Sequence, residues 1–311
     1  MFWRFETIKL LRSRRPVVAI GALVLFITLM LLGFYTYADT ETGGRAEFRY
    51  TFESGSYFNG LLFALYAFYF AILIVLPIFA AAEGGAQLTS ESAGGTIQLL
   101  LARPISRSRI FATKLVTAVV YITILAGAFL AVTLLVGLVA VGWGDLNIYP
   151  GVLQMTANPQ YLSQKQALQA FFLAWPAAAV ALTPALAMSF MVSAWVKNPI
   201  NSVAASVAIY LVLYVISEIH FFIELRPYLF TTYIGYWRSL FREQIIWSDL
   251  LRDGAKLLAF TFAFLSIAYH RFRIRQEICA KRCWKFCLLC SRLFSRRPVI
   301  AFINGVDPVI N

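Results

Sequence analysis

Long runs of apolar residues alternate along the chain with shorter polar segments, and this pattern predicts a bundle of membrane-spanning helices. A transmembrane helix needs about 20 predominantly apolar residues. Runs of this length are Val17–Tyr37, Phe58–Ala82, Leu115–Val141, Ala167–Val196 and Ile200–Ser217. A sixth span is predicted near Leu250–Tyr269, where the apolar stretch is shorter and Lys256 would have to extend toward the headgroups. We therefore expect an all-α integral membrane protein with six transmembrane helices.

The composition supports this fold class. Hydrophobic residues make up 60% of the chain and charged residues only 14%, whereas about a quarter of the residues in a soluble domain are charged. The first apolar run is longer than the core of a signal peptide, and bulky residues follow it where a cleavage site would need small ones. We expect this run to remain as a membrane anchor.

The distribution of lysine and arginine predicts the orientation, because cytoplasmic segments of membrane proteins are enriched in both. Six spans with both termini in the cytoplasm place most of the 27 basic residues on the cytoplasmic side. Without the sixth span, the basic tail would lie outside and the balance would reverse. We predict a multi-pass protein of the cell (cytoplasmic or inner) membrane. The net charge of +12 then reflects topology and attraction to anionic inner-leaflet lipid rather than nucleic-acid binding.

The chain is predicted to have three parts. Residues 1–16 have helical apolar spacing and form an amphipathic cytoplasmic interfacial helix, or a plain basic flank that only sets orientation. Residues 17–275 form one transmembrane domain. Its outer segment, residues 218–254, mixes aromatic residues with arginines, and we expect one or two re-entrant or interfacial helices there. Residues 276–311 form a basic, cysteine-containing cytoplasmic tail.

The segment between the second and third spans, residues 83–114, is the most informative part of the sequence. The pairs Gly84-Gly85 and Gly94-Gly95 are expected to break the helix that leaves the second span. Thr96 and Ser106 can each cap a following helix. The result would be a short, broken helix across the cytoplasmic face, able to dock on a partner and to move two spans at once. Alternatively, its basic residues only enforce topology.

This segment resembles the ABC-2 type permeases, the six-span membrane halves of certain ATP-binding-cassette transporters. The matching residues are Glu91, Gly95, Thr96, Leu99, Leu100, Leu101, Ala102, Arg103, Pro104, Ser106, Arg107, Ile110 and Lys114. The order of elements extends the resemblance over roughly residues 1–275. Within the family, the chain is similar to permeases of multicopper-enzyme and nitrous-oxide-reductase maturation and of sodium or drug export.

The resemblance implies a type V ABC exporter-like fold with a coupling helix that docks on a separate ATPase subunit. The docking residues would be Glu91, Gly95, Thr96, Leu99, Leu100, Arg103, Pro104, Ser106, Arg107, Arg109 and Lys114. Leu99, Leu100 and Arg103 are expected to contact the ATPase. Arg107, Arg109 and Lys114 are expected to hold the segment at the headgroups. The expected partners are an ABC ATPase, a second permease half (identical or different) and membrane lipid.

The energy source is expected to lie outside this chain. The sequence contains no G-x-x-x-x-G-K-S/T phosphate loop, so ATP and Mg²⁺ would be bound by the partner ATPase and this chain would carry no cofactor. The cores of the five clear spans hold no Asp, Glu, Lys, Arg or His, which proton- and ion-coupled carriers normally place there. Both features favour a passive permease half.

Other functions remain as alternatives. No H-E-x-x-H or G-x-S-x-G motif occurs, so we expect no catalytic residues. Glu218, His220 and Glu224 could in principle hold a metal, although an interfacial cluster is the simpler interpretation. A non-transporting assembly factor or scaffold with the same topology is the main alternative. The transported substrate is left open by the sequence.

The tail contains all four cysteines of the chain, Cys279, Cys283, Cys287 and Cys290. They could bind a metal, accept palmitate beside the membrane, or serve as small hydrophobic residues on a basic helix at the inner leaflet. A reducing cytoplasm disfavours disulfides. The family resemblance does not extend to this tail.

Overall fold

The computed structural model describes residues 14–42, 59–93, 107–148, 160–242 and 244–294. The predicted interfacial helix at residues 1–16 lies almost entirely outside these ranges. The chain divides into two compact units, Met1–Ala268 and Tyr269–Asn311. The first unit contains the helical bundle described below, and the second is helical as far as Phe294.

Long helices dominate the described residues, as the apolar runs predict. They are α1 (Arg14–Thr42), α2 (Gly60–Phe70), a π-helical stretch (Ala71–Val75), α3 (Leu76–Ala93), α4 (Arg107–Ala140), α5 (Gln164–Trp195), α6 (Pro199–Glu218) and α8 (Trp247–Phe294). The π-helical stretch joins α2 to α3 without a break, so these three pieces form one continuous second long helix.

The all-α membrane fold class is confirmed. Among the described residues, five helices are long and apolar enough to cross a membrane, and they coincide with the five clear apolar runs. The predicted sixth span lies within α8, which does not reach the same apolar criterion. Six spans therefore stay a prediction. Thr183 of α5 and Thr261 of α8 do place their hydroxyl oxygens 3.1 Å apart, so this part of α8 packs on the bundle.

The expected helix break at Gly84-Gly85 is wrong, because α3 continues through both glycines to Ala93. In water, glycine weakens a helix by exposing backbone and losing conformational entropy. Inside a helical bundle, a missing side chain instead lets two backbones approach closely. The second pair, Gly94-Gly95, lies outside the described residues.

A small hairpin joins α4 to α5 at one end of the bundle. Strand β1 (Leu146–Ile148) pairs antiparallel with β2 (Gln160–Leu162). Asp145 organises this end by accepting hydrogen bonds from the Tyr161 hydroxyl at 2.8 Å and from the Gln164 backbone N–H at 3.2 Å. Asn59 caps α2 and donates from its side-chain amide to the Asp145 carbonyl at 2.6 Å. The start of α2 is thereby fixed to the hairpin.

The segment between α6 and α8 contains short helices rather than a free loop. They are the 3₁₀ turns His220–Phe222 and Arg226–Tyr228, helix α7 (Phe230–Tyr233) and the 3₁₀ helix Ile234–Phe241. We call residues 230–241 the aromatic cap. The short helices expected in residues 218–254 are thus present, whereas their depth in the membrane stays a prediction.

The aromatic cap is fixed to three of the long helices. Trp237 is fully buried, and its ring centre lies 5.1 Å from that of Phe68 in α2. The Tyr236 hydroxyl donates to the Ala177 carbonyl of α5 at 2.9 Å. Burial raises the pKa of the Tyr236 hydroxyl. The Thr231 hydroxyl donates to the Leu213 carbonyl of α6 at 3.2 Å. The cap therefore closes one end of the space between these helices.

Candidate coupling site

Only the edges of the predicted coupling segment fall within the described residues. Seven of its predicted docking residues lie outside them: Gly95, Thr96, Leu99, Leu100, Arg103, Pro104 and Ser106. Glu91 lies near the end of α3, and Arg107 is the first residue of α4. Whether a helix begins just after Ser106 stays a prediction, because Ser106 lies outside the described residues.

Helix α4, which follows the segment, is longer than a membrane crossing requires. Helix α4 has 34 residues, which corresponds to about 50 Å at about 1.5 Å per residue. The hydrocarbon core of a bilayer is only about 30 Å thick. Ser108 and Arg109, in the first turn of α4, are exposed. An untilted helix of this length therefore carries its basic end well beyond the apolar layer.

Lys114, which we expected to hold the segment at the headgroups, is only 2% exposed. Helix α4 turns the face that carries Ile110, Phe111 and Lys114 into the bundle, and the Phe111 ring lies 5.6 Å from that of Phe190 in α5. The sequence alone did not indicate which face of α4 is buried, because basic residues lie on both faces near the start of this helix. Arg109 is exposed and remains suited to a surface contact.

Around the Gly84-Gly85 pair lies a set of buried polar residues that the sequence did not single out. We define this polar seam as Glu83 and Gln87 of α3, Ser189 of α5, and Ser202 and Ser206 of α6, all of which are buried. The Gln87 side-chain amide donates to the Glu83 carboxylate one turn away. The Ser206 hydroxyl donates to the Ser202 carbonyl at 2.8 Å. These two hydrogen bonds thus run within a single helix.

Gly84 and Gly85 bring α3 against two other helices at the seam. A Cβ atom on Gly84 would lie 2.1 Å from the Ser189 hydroxyl oxygen and 2.7 Å from the Leu186 carbonyl oxygen of α5. A Cβ on Gly85 would lie 3.0 Å from the Ser206 hydroxyl oxygen of α6. Because cores are close-packed and transmit strain, a displacement of this end of α3 is passed directly to α5 and α6. The signal of this contact in the sequence is the glycine pair itself.

No chemistry beyond packing is evident at this site. Within the described ranges, no group of three or more His, Cys, Asp or Glu residues could hold a metal ion. In particular, Glu218, His220 and Glu224 are exposed and form no such group. The arrangement suits the transmission of force between helices.

The chain belongs to the family described as ABC-2 family transporter protein, which matches residues 3–228. No curated protein matches it. Membership confirms the resemblance seen in the sequence and indicates a multi-pass ABC transporter permease, a class of membrane component that is generally not catalytic itself and works with an ABC ATPase. The match ends before the aromatic cap and α8.

Proposed function

We propose that the chain is the transmembrane permease subunit of an ATP-binding-cassette exporter, driven by a separate ATPase that docks on residues 83–114. The observation that carries the proposal is the continuity of α3 through Gly84-Gly85. One end of this helix borders the docking segment, and the glycine pair packs directly on α5 and α6. A partner that moves this segment would therefore move three helices of the bundle together.

A second permease half completes the proposed transporter. In their most apolar stretches, only 17% of α1 and 22% of α6 residues are buried, compared with 72% of α5. Helix α5 is thus the centre of the bundle, while α1 and α6 present apolar faces that lipid or a second half would cover. The two halves would move relative to each other when two ATPases close on ATP, with both termini in the cytoplasm.

Co-purification from a mild detergent tests the docking surface. The full-length tagged chain is compared with the double variant Leu99→Asp, Arg103→Glu, which places two negative charges on an apolar and basic surface. The matched control is Trp143→Asp, Lys165→Glu, which makes the same type of change at two exposed residues beside the hairpin. We expect an ABC ATPase to co-purify with the wild type and the control but not with the docking variant.

The alternatives give different results. If the ATPase binds all three proteins equally, the permease function stands but the docking surface is wrong. If the folded wild type retains no ABC ATPase, the transport function is contradicted and an assembly factor or scaffold with this topology takes its place. ATP hydrolysis by the recovered complex, measured in liposomes, separates a working complex from passive association.

A further inference from the structure

Helix α5 contains two prolines inside its length, Pro176 and Pro184, and they lie in different surroundings. A proline has no backbone N–H, so the carbonyl four residues earlier loses its helical donor. Pro176 is exposed, whereas Pro184 is buried in the bundle. The carbonyl that Pro184 leaves without a donor is that of Val180. In apolar surroundings this carbonyl needs a donor from another group.

The side chain of Thr183 supplies that donor. Its hydroxyl lies 2.8 Å from the Val180 carbonyl oxygen and donates a hydrogen bond to it. The hydroxyl oxygen of Thr261 in α8 lies 3.1 Å from that of Thr183. The Thr261 hydroxyl is also 2.8 Å from the Leu257 carbonyl oxygen, which already accepts a backbone N–H in a regular α-helix. Because a hydroxyl has one proton, the Thr183 proton is required at Val180, and the Thr261 proton is available for Thr183.

The turn around Pro176 lacks this arrangement. The residue before it is Trp175, and its indole N–H donates to the Thr123 carbonyl of α4 at 2.8 Å. The carbonyl that Pro176 leaves without a donor belongs to Phe172, which is 71% exposed at the surface of the bundle. Pro176 is therefore a matched comparison for Pro184, since it lies in the same helix without a hydroxyl at the preceding position.

Pro184 divides α5 into two parts that contact different neighbours. Before the proline, the Ala177 carbonyl accepts a hydrogen bond from Tyr236 of the aromatic cap at 2.9 Å. After the proline, Ser189 packs against Gly84 of α3 so closely that no space remains for a Cβ atom on the glycine. The first part of α5 is thus attached to the aromatic cap. The second part is attached to the helix that enters residues 83–114.

We propose that α5 bends at Pro184 during the transport cycle, and that Thr183 and Thr261 hold this joint together. A proline makes a helix easier to bend because one hydrogen bond of its ladder is missing. The Thr183 hydroxyl keeps the released carbonyl paired, and Thr261 attaches the joint to α8. A displacement of α3 then moves the part of α5 beyond Pro184, while the aromatic cap retains the part before it. The inference rests on the proposed function for the source of this displacement.

Amide hydrogen exchange of the full-length chain in detergent, without an ATPase, tests the joint itself. Pro184→Ala restores an N–H for the Val180 carbonyl, so exchange at residues 185–190 should slow by about fivefold, the factor that corresponds to one backbone hydrogen bond. Thr183→Val removes the substitute donor and should accelerate exchange there, whereas Thr183→Ser should behave like the wild type. Thermal unfolding checks that each variant is folded. The proposal is overturned if Pro184→Ala does not slow this exchange, or if Pro176→Ala slows it equally.

ATP hydrolysis by the purified complex tests the role of the joint in the cycle. Pro184→Ala should retain the ABC ATPase on co-purification but hydrolyse ATP several-fold more slowly, because a stiffer α5 resists the movement. Pro176→Ala should match the wild type in both measurements. Equal hydrolysis by the wild-type and Pro184→Ala complexes would overturn the role in the cycle. If the wild type retains no ABC ATPase, the proposed function fails, and the exchange measurement alone decides whether the joint exists.

Discussion

The Tyr210 hydroxyl of α6 donates a hydrogen bond to the Leu73 carbonyl at 2.6 Å, in the π-helical stretch between α2 and α3. Tyr210 is fully buried. A π-helical stretch disturbs the regular i to i−4 pairing and leaves backbone groups that need other partners. In an apolar bundle, a backbone polar group without a hydrogen-bond partner raises the free energy of the folded protein. Tyr210 therefore stabilises the irregular part of the second long helix from a neighbouring helix.

Replacing Tyr210 by phenylalanine should destabilise the protein by about 1 kcal/mol, because the Leu73 carbonyl loses its side-chain donor. Tyr214→Phe is a matched control: its ring stacks on Tyr210 with centres 6.3 Å apart, and its hydroxyl makes no hydrogen bond within the described residues. Thermal unfolding in detergent measures the change in stability for both variants. Equal effects of the two substitutions would show that the bond to Leu73 contributes nothing.

Replacing Gly84 by alanine should destabilise the bundle by about 1–3 kcal/mol, since the added methyl group would overlap the Ser189 hydroxyl and the Leu186 carbonyl. Gly21→Ala is the control, because nothing lies within 4 Å of a Cβ at that position in α1. Alanine also favours helix over glycine, so the control should be neutral or slightly stabilising. The unfolding midpoints of the two variants test this prediction. A Gly84→Ala protein as stable as the wild type would contradict the close contact.

The sequence predicted the fold where one physical effect dominates. A bilayer favours helices of about 20 uninterrupted apolar residues, so each of the five clear spans overlaps an observed helix over nearly all of its length. The prediction failed at Gly84-Gly85, where helix propensity and close packing favour opposite outcomes and packing decides. The π-helical stretch Ala71–Val75 has no distinctive composition and could not be foreseen.

The candidate site was predictable only in part. The motif located the segment between the second and third spans, and Arg107, Arg109 and Lys114 lie in the helix that follows it. The burial of Lys114 depends on the rotational phase of α4, which is set by its contacts with α5 and not by the motif. The polar seam involves three helices that are distant in sequence, so only the folded chain brings its residues together.

The enclosed position of Lys114 leads to a prediction that separates packing from headgroup anchoring. Lys114→Gln should lower stability by about 1–3 kcal/mol, because it alters a polar group enclosed by the bundle. Arg109→Gln, five residues earlier on the exposed side, should have little effect. Thermal unfolding is measured with and without added phosphatidylglycerol. A stability loss for Lys114→Gln that appears only with the anionic lipid would favour the headgroup contact instead.

The aromatic cap should depend on Trp237 more than on any exposed aromatic residue of the same end. Its indole ring lies 5.1 Å from the ring of Phe68 and 5.8 Å from that of Phe241, measured between centres. Trp237→Ala would leave a large void between the cap and α2, and the expected cost is about 3–5 kcal/mol. Trp247→Ala removes the same side chain from a position that is 55% exposed and should cost far less. Thermal unfolding compares the two, and limited proteolysis of the native protein reports whether the cap itself loosens. Similar stability losses for both tryptophans would mean that the cap is not held by this aromatic contact.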